Sequence, residues 1–185
     1  MANKVKFGLK NVYVAEIVSV SSTYTYSTPF AIPGAVNLTA SAEGDNEPFY
    51  ADDVQYFVNY ANNGYTGELE IALLPDAFKT AILGEISDTN DALIETASAV
   101  TKAFALGFEV QGDDKPRRTW FYNVTCARPN TNAATKEANI TPQTDTLEIT
   151  ISPRITDQYV KAVMTLGASN SSAYNNFFSS VYEKV

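Results

Sequence analysis

At 185 residues, 45% hydrophobic and 12% aromatic, the chain has material for one domain with a sizeable core. It has no histidine and one cysteine, Cys126, so it lacks the parts for Ser-His-Asp or Cys-His nucleophiles, for zinc sites built on His or several Cys, and for an internal disulfide. Its net charge of −8 also argues against tight nucleic-acid binding, which needs a basic face.

Residues 1–9 carry Lys4 and Lys6 with no apolar stretch resembling a signal peptide, and no run approaches the ~18 apolar residues that cross a bilayer. No membrane insertion and a cytoplasmic site of synthesis or assembly are therefore expected. The four Asn-x-Ser/Thr sequences, at Asn37, Asn123, Asn139 and Asn170, read as chance matches in a chain rich in Asn, Ser and Thr.

Alternating β-branched and aromatic runs dominate from there on. Strands are expected over 12–18 and 35–41, the second with Val36, Leu38 and Ala40 on one face. Between them, 19–33 is a polar Ser/Thr/Tyr-rich segment, and Glu43 to Pro48 reads as an acidic turn. Strands over 54–60 and 67–74 follow, joined by a hairpin at 61–65 in which Asn62-Asn63-Gly64 supplies the turn. Leu69, Ile71 and Leu73 mark the buried face of the second.

A short helix is expected over about 75–83. Pro75 stands at its first position, Asp76 against the dipole, Ala77, Phe78, Ala81 and Ile82 as the apolar stripe, and Gly84 as the stop. Two or three turns hold only when packed on a sheet. A weak strand over 92–96 precedes two strong ones, over 100–110 and 118–127, joined by a charged hairpin at 111–117. Phe104, Leu106, Phe108 and Val110 should share one face of the first. Trp120, Tyr122, Val124 and Cys126 should share one face of the second, with Cys126 a small buried hydrophobe. An Asn/Thr/Ala-rich excursion over 129–143 leads to a strand over 146–152, with Leu147, Ile149 and Ile151 inward and Glu148 and Thr150 outward. Residues 156–165 fit strand or helix equally. After a flexible stretch, Phe177, Phe178, Val181 and Tyr182 form an apolar tail that must dock either on its own core or on a neighbouring copy.

No constellation here supports chemistry. Asp52-Asp53 and Asp113-Asp114 are adjacent pairs, so in a strand their carboxylates point to opposite faces. Asp88-Thr89-Asn90-Asp91-Ala92 begins like a calcium loop but lacks its fifth ligand and sixth-position glycine. Lys115-Pro116-Arg117-Arg118 is a short basic patch behind two aspartates, isolated and partly neutralised and so weak as a nucleic-acid site; it reads as a charged hairpin tip, which could pair with acidic residues on another subunit. The charge is strongly segregated. Residues 11–78 contain no Lys or Arg, yet hold Glu16, Glu43, Asp45, Glu47, Asp52, Asp53, Glu68, Glu70 and Asp76. That segment is either a solvated face that keeps the protein soluble or a surface built to repel polyanions or meet a basic neighbour.

The sequence resembles the major tail proteins of long-tailed phages of Gram-positive bacteria. The likeness lies in Gly64-Tyr65-Thr66-Gly67-Glu68-Leu69-Glu70-Ile71 running into Leu74-Pro75-Asp76-Ala77-Phe78, and in Ala105-Leu106-Gly107-Phe108-Glu109, Lys115-Pro116-Arg117-Arg118 and Asp145-Thr146-Leu147-Glu148-Ile149. Val5-Lys6-Phe7-Gly8-Leu9-Lys10-Asn11-Val12-Tyr13 and Ile32-Pro33-Gly34-Ala35-Val36 extend it over most of residues 5 to 160. The resemblance implies a single mainly-β domain, a sandwich or barrel-like tail-tube fold with one short flanking helix. An N-terminal arm (about 1–10), a long loop (about 41–53) and a C-terminal arm (about 167–185) would project from it.

Such subunits form hexameric rings that stack into the tube through which DNA leaves the capsid. The implied partners are further copies of the chain, the tape-measure protein, and the tail terminator and distal tail proteins, with DNA as non-adhering cargo and no cofactor. An acidic lumen would let DNA slide past, which makes Glu68, Glu70, Asp52 and Asp53 candidates for it. Glu43, Asp45, Lys115, Arg117, Arg118, Phe177 and Phe178 become candidates for contacts between subunits. Two other classes fit the composition: a tube subunit like those of type VI secretion, and a monomeric β-sandwich that stacks sugars on Tyr24, Tyr26 and Phe30.

Overall fold

The computed structural model describes residues 3–45, 48–135 and 142–185. The chain is mainly β, 46% strand and 7% helical, around one large antiparallel sheet. Its longest strand, β1 (Lys6–Val20), lies against β10 (Phe104–Gly112), which continues through the tight 111–117 hairpin into β11 (Arg117–Cys126). The short strands β2 (Tyr24–Tyr26) and β3 (Phe30–Ile32) fold back onto β1. On the far side, β12 (Asp145–Ile151) pairs with β7 (Gly64–Ile71), and β7 with β4 (Ala35–Glu43), which ends the sheet.

Strand β11 is the pivot. Its first half pairs with β13 (Lys161–Thr165) and its last residues with β12, so one strand serves two layers. The exchange occurs at a bulge: Phe104 pairs with Val124 but Leu106 with Phe121, leaving an extra residue on β11. That insertion inverts parity. Phe121, Val124 and Cys126 point into the main core, while Trp120 and Tyr122 point to the opposite face, so the expectation of Trp120, Tyr122, Val124 and Cys126 on one face is corrected. Phe104, Leu106 and Phe108 do share a face, as their spacing required.

The main core is the inside of the curled sheet, where Val12, Val14, Leu69, Ile71, Leu147, Ile149 and Ile151 meet. Helix α1 (Asp76–Phe78) and the π-turn Lys79–Leu83 that continues it plug one end with Phe78, Ile82 and Leu83. Pro75 is still extended (φ −64°, ψ 145°), one position before the helix, and Gly84 ends it in the left-handed region at φ 76°. Leu73, expected inside, is 72% exposed, because β7 ends at Ile71 before the chain turns to the helix. A bulge between Ala35 and Asn37 similarly turns Val36 to water and leaves Leu38 packed on the core.

A second apolar cluster covers the outer face of β1, β10 and β11: Ala15, Ala105, Trp120, Tyr122, Phe177 and Val181. Trp120 lies flat over Gly107, its register partner, where a Cβ would sit only 2.8 Å from the indole ring. The cover is the C-terminal segment, which opens with a second helix, α2 (Ser171–Asn175), that the sequence pattern did not signal. Trp120 Nε1 donates to the Phe177 carbonyl (2.7 Å), Tyr122 Oη to the Tyr182 carbonyl (2.8 Å), and Tyr13 stacks on Phe178 at 4.8 Å. Of the two destinations open to the apolar tail, its own core is the one it takes.

The remaining strands lie off this body. β5 (Phe49–Ala51) and β6 (Val54–Phe57) pair only with each other, and β8 (Ile86–Ser87) with β9 (Leu93–Ile94). The expected 61–65 hairpin between β6 and β7 is therefore not formed. β7 pairs instead with β4, Glu43 opposite Gly64, and the chain between them is a tongue. Its neck continues the ladder through Asn63 N–H to the Glu43 carbonyl (2.9 Å) and Ala61 N–H to the Asp45 carbonyl (3.3 Å). The Asn-Gly signal was local, whereas β4 offers β7 an eight-residue edge. Asn139, much of the 129–143 excursion, and Asn46-Glu47 of the acidic turn lie outside the described residues. Among the described residues no helix is long and apolar enough to cross a membrane.

Candidate functional site

Strands β4, β7, β12 and the end of β11 present an outer face made only of short polar and acidic side chains. Register places Glu68 between Thr39 on one side and Glu148 on the other, Glu70 between Asn37 and Thr146, and Thr66 between Ser41 and Thr150. Thr125 extends the last row onto β11. The alternation that puts Leu69, Ile71, Leu147 and Ile149 inside dictates that Thr66, Glu68, Glu70, Glu148 and Thr150 face out. No Lys or Arg stands on these rows. The face forms an open trough of about 940 Å³ lined by Thr39, Ser41, Thr66, Glu68, Glu148 and Thr150.

Hydrogen bonds hold the Glu43 and Glu70 carboxylates and the backbone at Glu68. Thr66 Oγ1 donates to Glu43 Oε1 (2.5 Å), Thr144 Oγ1 to Glu70 Oε1 (2.7 Å), and the Glu68 amide to Thr39 Oγ1 (3.2 Å). Glu68 and Glu148 oppose each other across the strands, an arrangement that costs rather than adds stability. The sequence pattern had marked Glu148 as outward; it took the β7–β12 register to set it beside Glu68.

Of the four lumen candidates, Glu68 and Glu70 thus share one surface. Asp52 and Asp53 do not join them. They form the tip of the tongue, both at positive φ (51° and 61°), the two-residue turn that closes β5 onto β6.

The candidates for contacts between subunits also divide. Glu43 and Asp45 stand on the neck of the tongue, and Arg117 is exposed at the start of β11. Lys115 bridges locally, its Nζ donating to the Leu166 carbonyl (3.1 Å). Three candidates are engaged within the subunit. Arg118 donates from Nε to the buried Glu109 (2.8 Å) and also reaches the Tyr174 carbonyl, with its guanidinium 4.1 Å from the Tyr174 ring. Phe177 is buried and Phe178 packs on Trp120 and Tyr13. The reason is common to all three: the outer face of β10–β11 carries Glu109, Trp120 and Tyr122, which need a partner charge and an apolar cover.

Tyr24, Tyr26 and Phe30 are not an open sugar platform either. Tyr24 is buried, Tyr26 Oη donates to the Tyr122 carbonyl (3.0 Å), and Phe30 packs against the core. Burial pushes the Tyr26 hydroxyl up to about 12, against the opposing pull of Arg154.

Among the described residues no three His, Cys, Asp or Glu side chains converge as a metal site requires. Burial raises the Cys126 thiol to about 11. Native protein at pH 8 is accordingly expected to leave a thiol reagent unconsumed, with one equivalent taken up on unfolding in guanidinium. Rapid uptake by the native form would show that the core opens around Cys126. No family model matches the chain, and a search of curated proteins finds no match.

Proposed function

We propose that this chain is a structural subunit of a self-assembling conduit, the major tail tube protein of a long-tailed phage, built as stacked hexameric rings with the β4–β7–β12 face toward the lumen. One observation carries the reading: a broad sheet face bearing Glu43, Glu68, Glu70 and Glu148 and no basic side chain. A duplex sliding along it would find no cation to pair with its phosphates, so no counterion release would hold it. Retaining Glu68 opposite Glu148 at a cost in stability is what a surface kept for its charge would do. The segregated acidity, the single mainly-β body and the exposed tongue agree with this, as does the resemblance in sequence. The virion, with assembly in the bacterial cytoplasm, is the location it implies.

Electron microscopy of the purified protein at high concentration tests the class, with rings or tubes expected; monomers at every concentration overturn it. The lumen assignment has its own test. Glu68→Lys, Glu70→Lys and Glu148→Lys together raise the net charge from −8 to −2. Tubes of this variant should still assemble, but should retain duplex DNA at low salt and release it as salt rises, where wild-type tubes retain none. Tubes that stay indifferent to DNA would place the face elsewhere.

A further inference from the structure

The Asn62-Asn63-Gly64 turn signal does not make the hairpin it announces. Asn63-Gly64 is the sole Asn-Gly step in the sequence, and it lies where the tongue rejoins the body. Two separate constraints keep Gly64 a glycine. Its φ is 100°, in the region that favours glycine, and a Cβ there would stand 1.9 Å from the Ile151 carbonyl oxygen. The fold therefore excludes any side chain at 64, and with it the bulk that would shield the amide following Asn63.

An asparagine placed before such an amide can cyclise. The Gly64 nitrogen, once hydroxide has taken its proton, attacks the side-chain carbonyl carbon of Asn63. The N–Cγ bond forms, the Cγ–Nδ2 bond breaks, and the amino group leaves as ammonia with a proton from water. Water then opens the resulting succinimide at either carbonyl, giving aspartate or isoaspartate. No oxidant, cofactor or enzyme is consumed.

The surroundings favour Asn63 over its rivals. Asn63 is exposed, and among the described residues its carboxamide has no hydrogen-bond partner. The Gly64 N–H points to the Asn62 side-chain oxygen at 3.3 Å, a long bond. Asn62 is spared, because the amide that would attack it, Asn63 N–H, is held by the Glu43 carbonyl at 2.9 Å. Asn3 and Asn170 are fixed at both ends of their carboxamides. The first accepts from the Asp114 and Lys115 amides and donates to the Lys115 carbonyl; the second accepts from the Gly167 amide and donates to the Thr165 carbonyl.

We infer that Asn63 is a site of spontaneous modification, at which the chain acquires a carboxylate at the root of the tongue. The net charge of −8 gains one more negative charge, next to the Glu43–Gly64 pair that starts the β4–β7 ladder. The isoaspartate product also inserts a methylene into the main chain just before Gly64, where the Ile151 carbonyl leaves no room. That form loosens the neck, and the aspartate form does not. The chemistry needs no second subunit.

Full-length protein held in warm, mildly alkaline buffer tests it. Peptide mass mapping should find aspartate and isoaspartate accumulating at 63, the latter also labelled by an isoaspartyl methyltransferase, with one added negative charge on ion exchange. Mild acid should slow the gain, because the amide must lose its proton. Asn62→Ala should keep the reaction and Asn63→Gln should lose it, since the longer side chain closes its ring far more slowly. The native rate should lie within about ten-fold of the rate in urea, because the site reacts without global unfolding. A slower native rate would mean that the fold protects Asn63. Modification centred on Asn62, Asn3 or Asn170 would mean that these contacts do not choose the site. Either result overturns the inference.

Discussion

Replacing Phe177 by Ala is expected to lower the free energy of unfolding by about 3–5 kcal/mol, as for other fully buried aromatics. The ring is only 1% exposed, stacks on Tyr182 with centroids 5.5 Å apart and meets Phe178 edge-on. Below it lies the Trp120 indole, itself entirely buried. Truncating Phe177 leaves a cavity under a thin cover, because among the described residues it is the C-terminal segment that lies over Trp120 and Tyr122 on this side of β10 and β11. Urea denaturation measures the effect as a shift in midpoint at constant slope. Phe49→Ala on the tongue is the control and should change stability by no more than about 0.5 kcal/mol. Equal, small effects at both positions would mean that the tail leaves its own core in solution, restoring the alternative that it reaches a neighbour. Deleting residues 175–185 should behave like an extreme Phe177→Ala, exposing Trp120 and Tyr122, rather than giving an intact monomer that only fails to polymerise.

Arg154→Ala should cost about 1–3 kcal/mol. Loss of one partner from a buried ion pair costs roughly 3–5 kcal/mol, and the lower figure reflects partners that can rehydrate. The Arg154 side chain is 4% exposed, against 31% for Asp157 and 48% for Glu183. Its guanidinium donates to both Glu183 oxygens (2.6 and 2.9 Å) and to Asp157 Oδ1 (3.0 Å), and lies 4.4 Å from the Tyr122 ring. It therefore ties the end of the tail, at Glu183, to the body. The pH dependence gives a second readout. Burial pushes the Asp157 carboxyl up, but the Arg154 hydrogen bonds and the Tyr159 amide outweigh it and hold it below the usual carboxylate range. A depressed carboxyl adds stability above its unfolded pKa, ~3.9, and loses it as pH falls through the folded value. The deficit of Arg154→Ala should therefore shrink in acid below about pH 4. A deficit that is constant down to pH 2 would mean that Arg154 acts only by packing.

Elements governed by local pattern were legible in the chain. The alternation of Leu147, Ile149 and Ile151 with Glu148 and Thr150, the 111–117 hairpin, and the helix between Pro75 and Gly84 all depend on neighbours a few residues away. The acidic face was half legible, since parity showed Glu148 as outward and set Glu68 and Glu70 on one face of their strand, without saying which strands adjoin. What failed depended on distant partners. The Asn62-Asn63-Gly64 signal predicted the wrong hairpin because β7 finds a longer partner in β4, and the extra residue in β11 sent Trp120 and Tyr122 to the face opposite Val124. No local pattern marked Arg154; its role exists only because Tyr24, Tyr122, Tyr159 and Glu183 converge on it.

By itself, then, the sequence determined the mainly-β class, the absence of histidine and disulfide chemistry, and an acid-only stretch from 11 to 78. These follow from composition and short-range periodicity, which no fold can change. The tertiary structure alone decided that the acidity splits between a sheet face and a tongue tip, that the apolar tail closes its own subunit, and that the tongue stays uncovered. Each of those depends on register and on bulges, where one residue of slip exchanges the faces of a strand.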